Sequence, residues 1–362
     1  MNRARLRDLG IVIGTLPTGK YNAITDVPGV LVGHTTLIYD EPRIARTGVT
    51  AIVPRDGNVW KDNCFAAYHS FNGCGELTGM IWVEESGTLC YPIILTTTHH
   101  VGTAHEAVVA YGQEHGLAEL SSLSVVGETW DGWLNDIDAF HVKREHVIQA
   151  LDAAASGPVA EGCVGGGTGM ICHDFKGGIG TASRVVETKS GTFTVGALVQ
   201  ANHGGREDLR VDGVPVGQIL DYKVIPDPWE TEAPFNTASS SIIIVVATDA
   251  PLLPHQCKRL AQRATLGFAR AGGLGHNGSG DIFFAFATGN HLGEGHTNLT
   301  WMPNDHMTPL FTATAEAVEE AILNVLTSAE TTVGYQGRVA QALPLDALQE
   351  IMRQYRPVKP WQ

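Results

Sequence analysis

A chain of 362 residues with 43% hydrophobic and 17% charged residues can bury a sizeable core, and no stretch is biased enough to stay disordered. Its formal net charge of −14 argues against nucleic acid and anionic membrane surfaces as partners, because an acidic field repels both. Six cysteines without a Cys-x-x-Cys pair support neither a structural zinc site nor a disulfide framework, so they read as reduced thiols.

From the amino terminus, Met1 to Gly14 carries early arginines but no apolar run of signal-peptide length, and no later run approaches a membrane span. A cytoplasmic protein is expected. Short apolar runs between turn signals predict strands at Gly29–Val32, Val49–Val53 and Pro92–Leu95. A helix is predicted over Thr103–Gly116, with Thr103 and Glu106 at capping-box spacing, and a second from about His141 to Ala155, stopped by Gly157 and Pro158. Further strands follow at Thr194–Val199, Ile242–Ala247 and Ile282–Ala287. The segment Lys258–Arg270 sets Leu260, Ala264 and Phe268 on one helical face and its cations on another, which reads as a solvated face. In Phe311–Leu326 the apolar residues again recur at helical spacing, with Glu319 and Glu320 directed elsewhere. Strands mixed with helices, without strict alternation, predict an α/β (α+β) protein with helices on stacked or mixed sheets.

One stretch changes character abruptly. Lys223–Ser240 carries three prolines and several acids, then gives way to the buried-strand pattern Ser241-Ile-Ile-Ile-Val-Val-Ala. A hydroxyl at the first position of a buried strand is held rigidly beside an accessible loop, as an intramolecular attack on the preceding carbonyl requires. Attack by Ser241 on the carbonyl of Ser240 would give an ester by N-to-O acyl shift, and its hydrolysis would expose an α-amine on Ser241. With an ordinary pKa of about 7.7 to 8.0, that amine can act as general base toward its own hydroxyl. The residue pattern alone leaves a second reading open, since Ser239, Ser240 and Ser241 also look like turn material.

The run SIIIVVATDAPL at Ser241–Leu252, with GHNGSG at Gly275–Gly280 followed by Asp281, resembles the family of L-aminopeptidase D-amidase/D-esterases and β-peptidyl aminopeptidases. The likeness extends through DVPGVLVGHTT (Asp26–Thr36), NGCGELTG (Asn72–Gly79), GETWDGWLND (Gly127–Asp136), GGGTGM (Gly165–Met170), FKGGIGTASR (Phe175–Arg184) and GALVQANHG (Gly196–Gly204). It implies a precursor that cuts itself before a serine, and a four-layer αββα sandwich resembling the Ntn hydrolases with a different strand connection. Position by position it implies Ser241 as nucleophile, with Ser239 and Ser240 as runners-up, and Ser279 and Asp281 as the second serine and the acid. It further implies Asn202 as oxyanion donor and Glu128 as the acid that binds the substrate amine. Trp130 stands where some members have a tyrosine, so it is expected to shape the pocket. One catalytic domain, 1–362, would be processed into 1–240 and 241–362 and assemble as a homo-oligomer of such heterodimers, acting on short peptides, amides or esters with a free amino terminus.

The glycine-rich runs GGGTG and GGIG lack both the dinucleotide and the P-loop pattern, so they are expected to let backbone pass closely. His99 and His100, as neighbours on a strand, would face opposite sides, and no His-Glu-x-x-His is present, so neither metal nor cofactor is expected. Two alternatives stay open: a self-cleaving acyltransferase of the same logic, and an uncleaved assembly protein, which would run as one full-length band.

Overall fold

The strand after Ser241 is apolar at every position, and such a strand needs a covering layer on both faces. The computed structural model describes residues 3–117, 123–229, 240–293 and 298–355. Its strands are β1 (Leu31–Tyr39), β2 (Ala45–Val53), β3 (Asn63–Gly73), β4 (Thr88–Leu89), β5 (Ile93–Thr97), β6 (Val125–Thr129), β7 (Ile171–Cys172), β8 (Phe175–Lys176), β9 (Gly178–Thr188), β10 (Gly191–Asn202), β11 (Ser241–Thr248) and β12 (Gly280–Leu292). The helices are α1 (Met80–Ser86), α2 (Val101–Glu114), α3 (Arg144–Asp152), α4 (Val216–Ile219), α5 (Pro254–Arg270), α6 (Thr308–Ser328) and α7 (Leu345–Tyr355).

A four-stranded sheet runs β1-β2-β5-β6, and a six-stranded sheet runs β4-β3-β12-β11-β10-β9. Alternation along β11 shows how they stack. Ile243, Val245 and Ala247 pack between the sheets against Ile52, Ile93, Leu95 and Val125, whereas Ile242, Ile244 and Val246 face Leu260, Ala264, Phe268 and Val318 of α5 and α6. On the far side of the smaller sheet, Val49, Ala51, Ile94 and Val126 pack against Ala104, Ala107 and Val108 of α2 and Val147 and Ala150 of α3. The layers are therefore helix, sheet, sheet, helix. Each sheet contains one parallel pair joined through a helix: β5 to β6 through α2, and β11 to β12 through α5. Among the described residues, no helix is long and apolar enough to cross a membrane.

The predicted strands and helices lie where expected, but four local readings are corrected. The α2 helix starts at Val101, so Thr103 lies inside its first turn and caps nothing. His99 and His100 sit in a tight 3-10 turn, Thr98–His100, and not on a strand, so the argument from opposite faces does not apply to them. Glu319 and Glu320 are buried on α6, where Glu320 meets Arg7 and Arg184, because cations from other segments reach them. The α5 cations are not simply solvated: Arg259 and Arg263 lie over the Phe311 ring, and Arg270 is 3.7 Å from Glu319.

Candidate active site

Strand register brings the predicted residues to one end of the large sheet. Ser241, the first residue of β11, pairs with Asn202, the last of β10, on one side and with Gly280, the first of β12, on the other. Ser279 and Asp281 flank Gly280, so a single parallel pairing places the second serine and the acid beside Ser241. All five side chains or backbone positions belong to buried residues. Ser240 is described and buried, while the runner-up Ser239 lies outside the described residues.

The Gly280 N–H donates to the carbonyl oxygen of Ser240 at 3.0 Å and to Oγ of Ser241 at 3.2 Å. One backbone donor thus touches both the carbonyl that would be attacked and the hydroxyl that would attack it. Close approach makes this possible: a Cβ on Gly280 would lie 2.6 Å from the carbonyl oxygen of Cys74 and 2.6 Å from Cα of Gly75. Any side chain there would push the Cys74–Gly75 turn away from the site.

Ser279 donates its hydroxyl to Asp281 Oδ1 at 2.6 Å, while Asp281 Oδ2 has no hydrogen-bond partner among the described residues. Burial raises the Asp281 carboxyl to about 6, with the Ser279 hydroxyl and His276 pulling the other way. The amide of Asn202 has a fixed sense. Ile171 N–H donates to its Oδ1 at 2.8 Å, so the NH2 group turns to the opposite side.

Glu128, on β6, is buried. Its Oε1 accepts the Glu76 N–H at 3.0 Å, and its Oε2 accepts the Thr98 hydroxyl. Burial raises its carboxyl, opposed by these two donors. A Cβ on Gly75 would lie 3.3 Å from Glu128 Oε1 and 3.0 Å from Cα of Gly280, so one glycine separates Glu128 from the backbone that holds Ser241. Gln200 of β10 ties the two sheets here, donating to the Thr96 carbonyl and the Thr129 hydroxyl at 2.8 and 2.9 Å.

A pocket of roughly 350 Å³, counting its open mouth, is lined by Trp130, Trp133, Ile171, Asn202, Trp229 and Ser240 among others. Trp130 is half-buried in its wall. Asp174, also in the wall, accepts the Tyr222 hydroxyl and the Trp229 Nε1–H, each at 2.8 Å.

A model of peptidase family S58 matches residues 22–340. The chain belongs to peptidase family S58. It is 48% identical to beta-peptidyl aminopeptidase BapA of Sphingosinicella microcystinivorans, over 97% of this chain and 92% of that protein. The structure of a Burkholderia sp. beta-aminopeptidase matches with a TM-score of 0.90 and 49% identity, covering 99% of this chain and all of the other. The L-aminopeptidase D-Ala-esterase/amidase of Ochrobactrum anthropi, whose structure is described as a prototype for the serine aminopeptidases and a new variant among the Ntn hydrolase fold, matches with a TM-score of 0.87 and 44% identity over 97% of this chain and 98% of that one. The S58 chain is thus a hydrolase, a serine aminopeptidase of the Ntn-like four-layer fold.

Three contributors at the site were not singled out from the sequence: the Gly280 N–H, the Ile171 N–H that fixes Asn202, and the Thr98 hydroxyl on Glu128. Backbone donors leave no residue-type signal. The only trace was glycine: the run Gly165–Met170 ends just before Ile171, and Gly280 closes GHNGSG.

Proposed function

We propose that this S58 chain is made as a precursor, cuts itself between Ser240 and Ser241 into segments 1–240 and 241–362, and then removes amino-terminal residues, β-amino acids included, from short peptides or amides. The hydrogen bonding of the Ser240 carbonyl carries this reading. Its oxygen already accepts the Gly280 N–H at 3.0 Å, so a donor waits where negative charge would develop as Ser241 Oγ adds to the carbonyl carbon. The Ser279–Asp281 pair takes the hydroxyl proton, the C–N bond breaks as the Ser241 nitrogen gains a proton, and an ester remains. Water hydrolyses it to a Ser240 carboxylate and restores the Ser241 hydroxyl.

The same oxygen then attacks the substrate acyl carbon, with the new α-amine as base and the Asn202 NH2 as donor to the oxyanion. Glu128 holds the substrate's ammonium: a buried carboxylate with two hydrogen-bond donors but no ion pair among the described residues is a receptor for a cation. A β-amino-terminal substrate is supported by the near-complete match to relatives bearing that activity in their names. Intact-mass analysis tests the first step: a small fragment beginning at Ser241 is expected, and one beginning elsewhere would overturn the assignment. Turnover of β- and α-amino-terminal amides by the processed protein tests the second.

A further inference from the structure

Directly behind Asn202 lies a trio that the proposed reaction does not use. Cys172 closes β7, His173 follows it, and His203 follows Asn202 at the end of β10; all three are buried. Each offers one ligand atom, and the three atoms lie within 4.8 Å of one another. Cys172 Sγ and His203 Nδ1 are 3.8 Å apart. Bonds of about 2.3 Å to sulfur and about 2.0 Å to nitrogen would set two such atoms roughly 3.5–3.8 Å apart on one ion.

Cys172 Sγ and His203 Nδ1 are hydrogen-bonded to each other, and the trio still leaves ring-nitrogen capacity unused. His173 Nδ1 lies 3.0 Å from the carbonyl oxygen of Gly205, which can only accept, so Nδ1 carries the proton and Nε2 keeps a bare lone pair. A carbonyl on the far ring nitrogen is the usual support of a metal-binding histidine. Among the described residues the buried His173 Nε2 has no hydrogen-bond partner, and His203 turns its Nδ1 to the Cys172 sulfur. The two rings are 5.0 Å apart, edge to face. An entry path exists, since His203 and Gly204 also line the pocket beside Ser240.

We propose that Cys172, His173 and His203 bind one soft, thiophilic, monovalent cation, cuprous copper, in the wall behind the Asn202 amide. Charge selects the ion. On binding, the Cys172 thiol releases its proton to solvent, and a thiolate with a monovalent cation leaves the buried site neutral. A divalent ion would leave one positive charge in excess there, because the neighbouring Asp174 carboxylate is already held by the Arg206 N–H, the Tyr222 hydroxyl and the Trp229 Nε1–H and faces the Arg206 cation. Thiolate and imidazole are also the donors such a soft ion prefers.

The test uses the full-length protein carrying Cys74→Ser, Cys90→Ser and Cys163→Ser, so that the more accessible thiols cannot bind. Cuprous ion is added anaerobically from a competing chelator, and metal per chain is counted after desalting. One ion per chain is expected, with one sulfur and two nitrogen neighbours by X-ray absorption, and it should be lost on adding Cys172→Ala. A chain that keeps no copper, or keeps it without Cys172, overturns the site. Zinc held as tightly as copper in the parallel titration overturns the choice of a monovalent ion. Should Cys172→Ala fail to fold, the absorption spectrum of the parent decides alone: a shell without one sulfur and two nitrogens refutes the assignment.

Discussion

Two groups of buried charges flank the large sheet, and they are finished to different degrees. On the α6 side, Arg184 binds Glu316 at 3.0 Å and Glu320 at 2.6 Å, Arg7 forks onto both oxygens of Glu320, and Asn22 adds a further bond. Burial works against the Glu320 charge, but Arg7, Arg184 and Asn22 outweigh it and hold the carboxyl below its ordinary value. At the Ser241 end, among the described residues, Asp281 keeps one oxygen without a partner and Glu128 has donors but no ion pair, and burial leaves both carboxyls raised. The first group spends its polar capacity on holding segments together. The second keeps capacity in reserve for a proton and a cation that arrive only during reaction.

The sharpest way to break this contrast is to remove the oxygen on which both proposed reactions depend. Ser241→Ala should give a folded, full-length chain with no amidase activity, read by denaturing electrophoresis and turnover assay. A processed or active variant would sink the mechanism. The opposite pattern is expected at the finished cluster. Glu320→Ala leaves Arg184 buried beside one partner fewer, a loss of about 3–5 kcal/mol when a buried pair is broken. Chemical denaturation should register it, while whatever remains folded should still process itself at Ser241.

Much of this contrast was legible in the sequence, and the reasons are physical. The apolar run after Ser241 announced a strand covered on both faces, and the periodicity of α5 and α6 announced the cover. Motif order through GHNGSG and GALVQANHG placed Ser241, Ser279, Asp281 and Asn202 as candidates, which register then set side by side. What escaped was whatever depends on partners far along the chain. Glu319 and Glu320 read as outward-facing because nothing local shows that Arg7 and Arg184 will meet that helix. The β3, β6 and β9 strands escaped too, because their polar residues, such as Glu128 and Arg184, are satisfied by neighbours that only the fold supplies.

A finer cut separates the two donors at the Ser241 end. If Gly280 serves the precursor's own carbonyl and Asn202 serves the external substrate, Asn202→Ala should slow amide hydrolysis by roughly 10²- to 10³-fold. Self-cleavage should proceed with little change, because the Gly280 N–H stays on the Ser240 carbonyl. Parallel loss of both reactions would mean that Asn202 mainly supports the strand end. Glu128→Gln should cost less, about tenfold to a hundredfold, as charge-assisted bonds contribute roughly 1.5–3 kcal/mol. That loss should fall on amides with a free amine and spare both amino-blocked esters and self-cleavage. Equal losses on both substrates would show that Glu128 does not read the amino terminus.

The smallest expected effect concerns the reserve on Asp281. Self-cleavage precedes the new α-amine, so its pH dependence is free of that group and reports the acid beside Ser279. With its carboxyl raised to about 6, Asp281 is ionised at pH 8 and takes up a proton as the pH falls through that value. A base that must be ionised then loses half its effect near pH 6 and about nine-tenths near pH 5. The cleavage rate of precursor freshly made by cell-free synthesis should therefore fall about twofold between pH 8 and pH 6, and Asp281→Asn should be slower throughout without that limb. The finished cluster should lose stability in the same direction, on acidification, but in a lower pH window. Glu320, held below its ordinary value, contributes stability at neutral pH that is lost only as the pH drops through its folded-state pKa, well beneath the processing limb. A rate that stays flat from pH 8 to pH 5, with the fold intact, would remove Asp281 as the proton acceptor and leave Ser279 to pass the proton elsewhere.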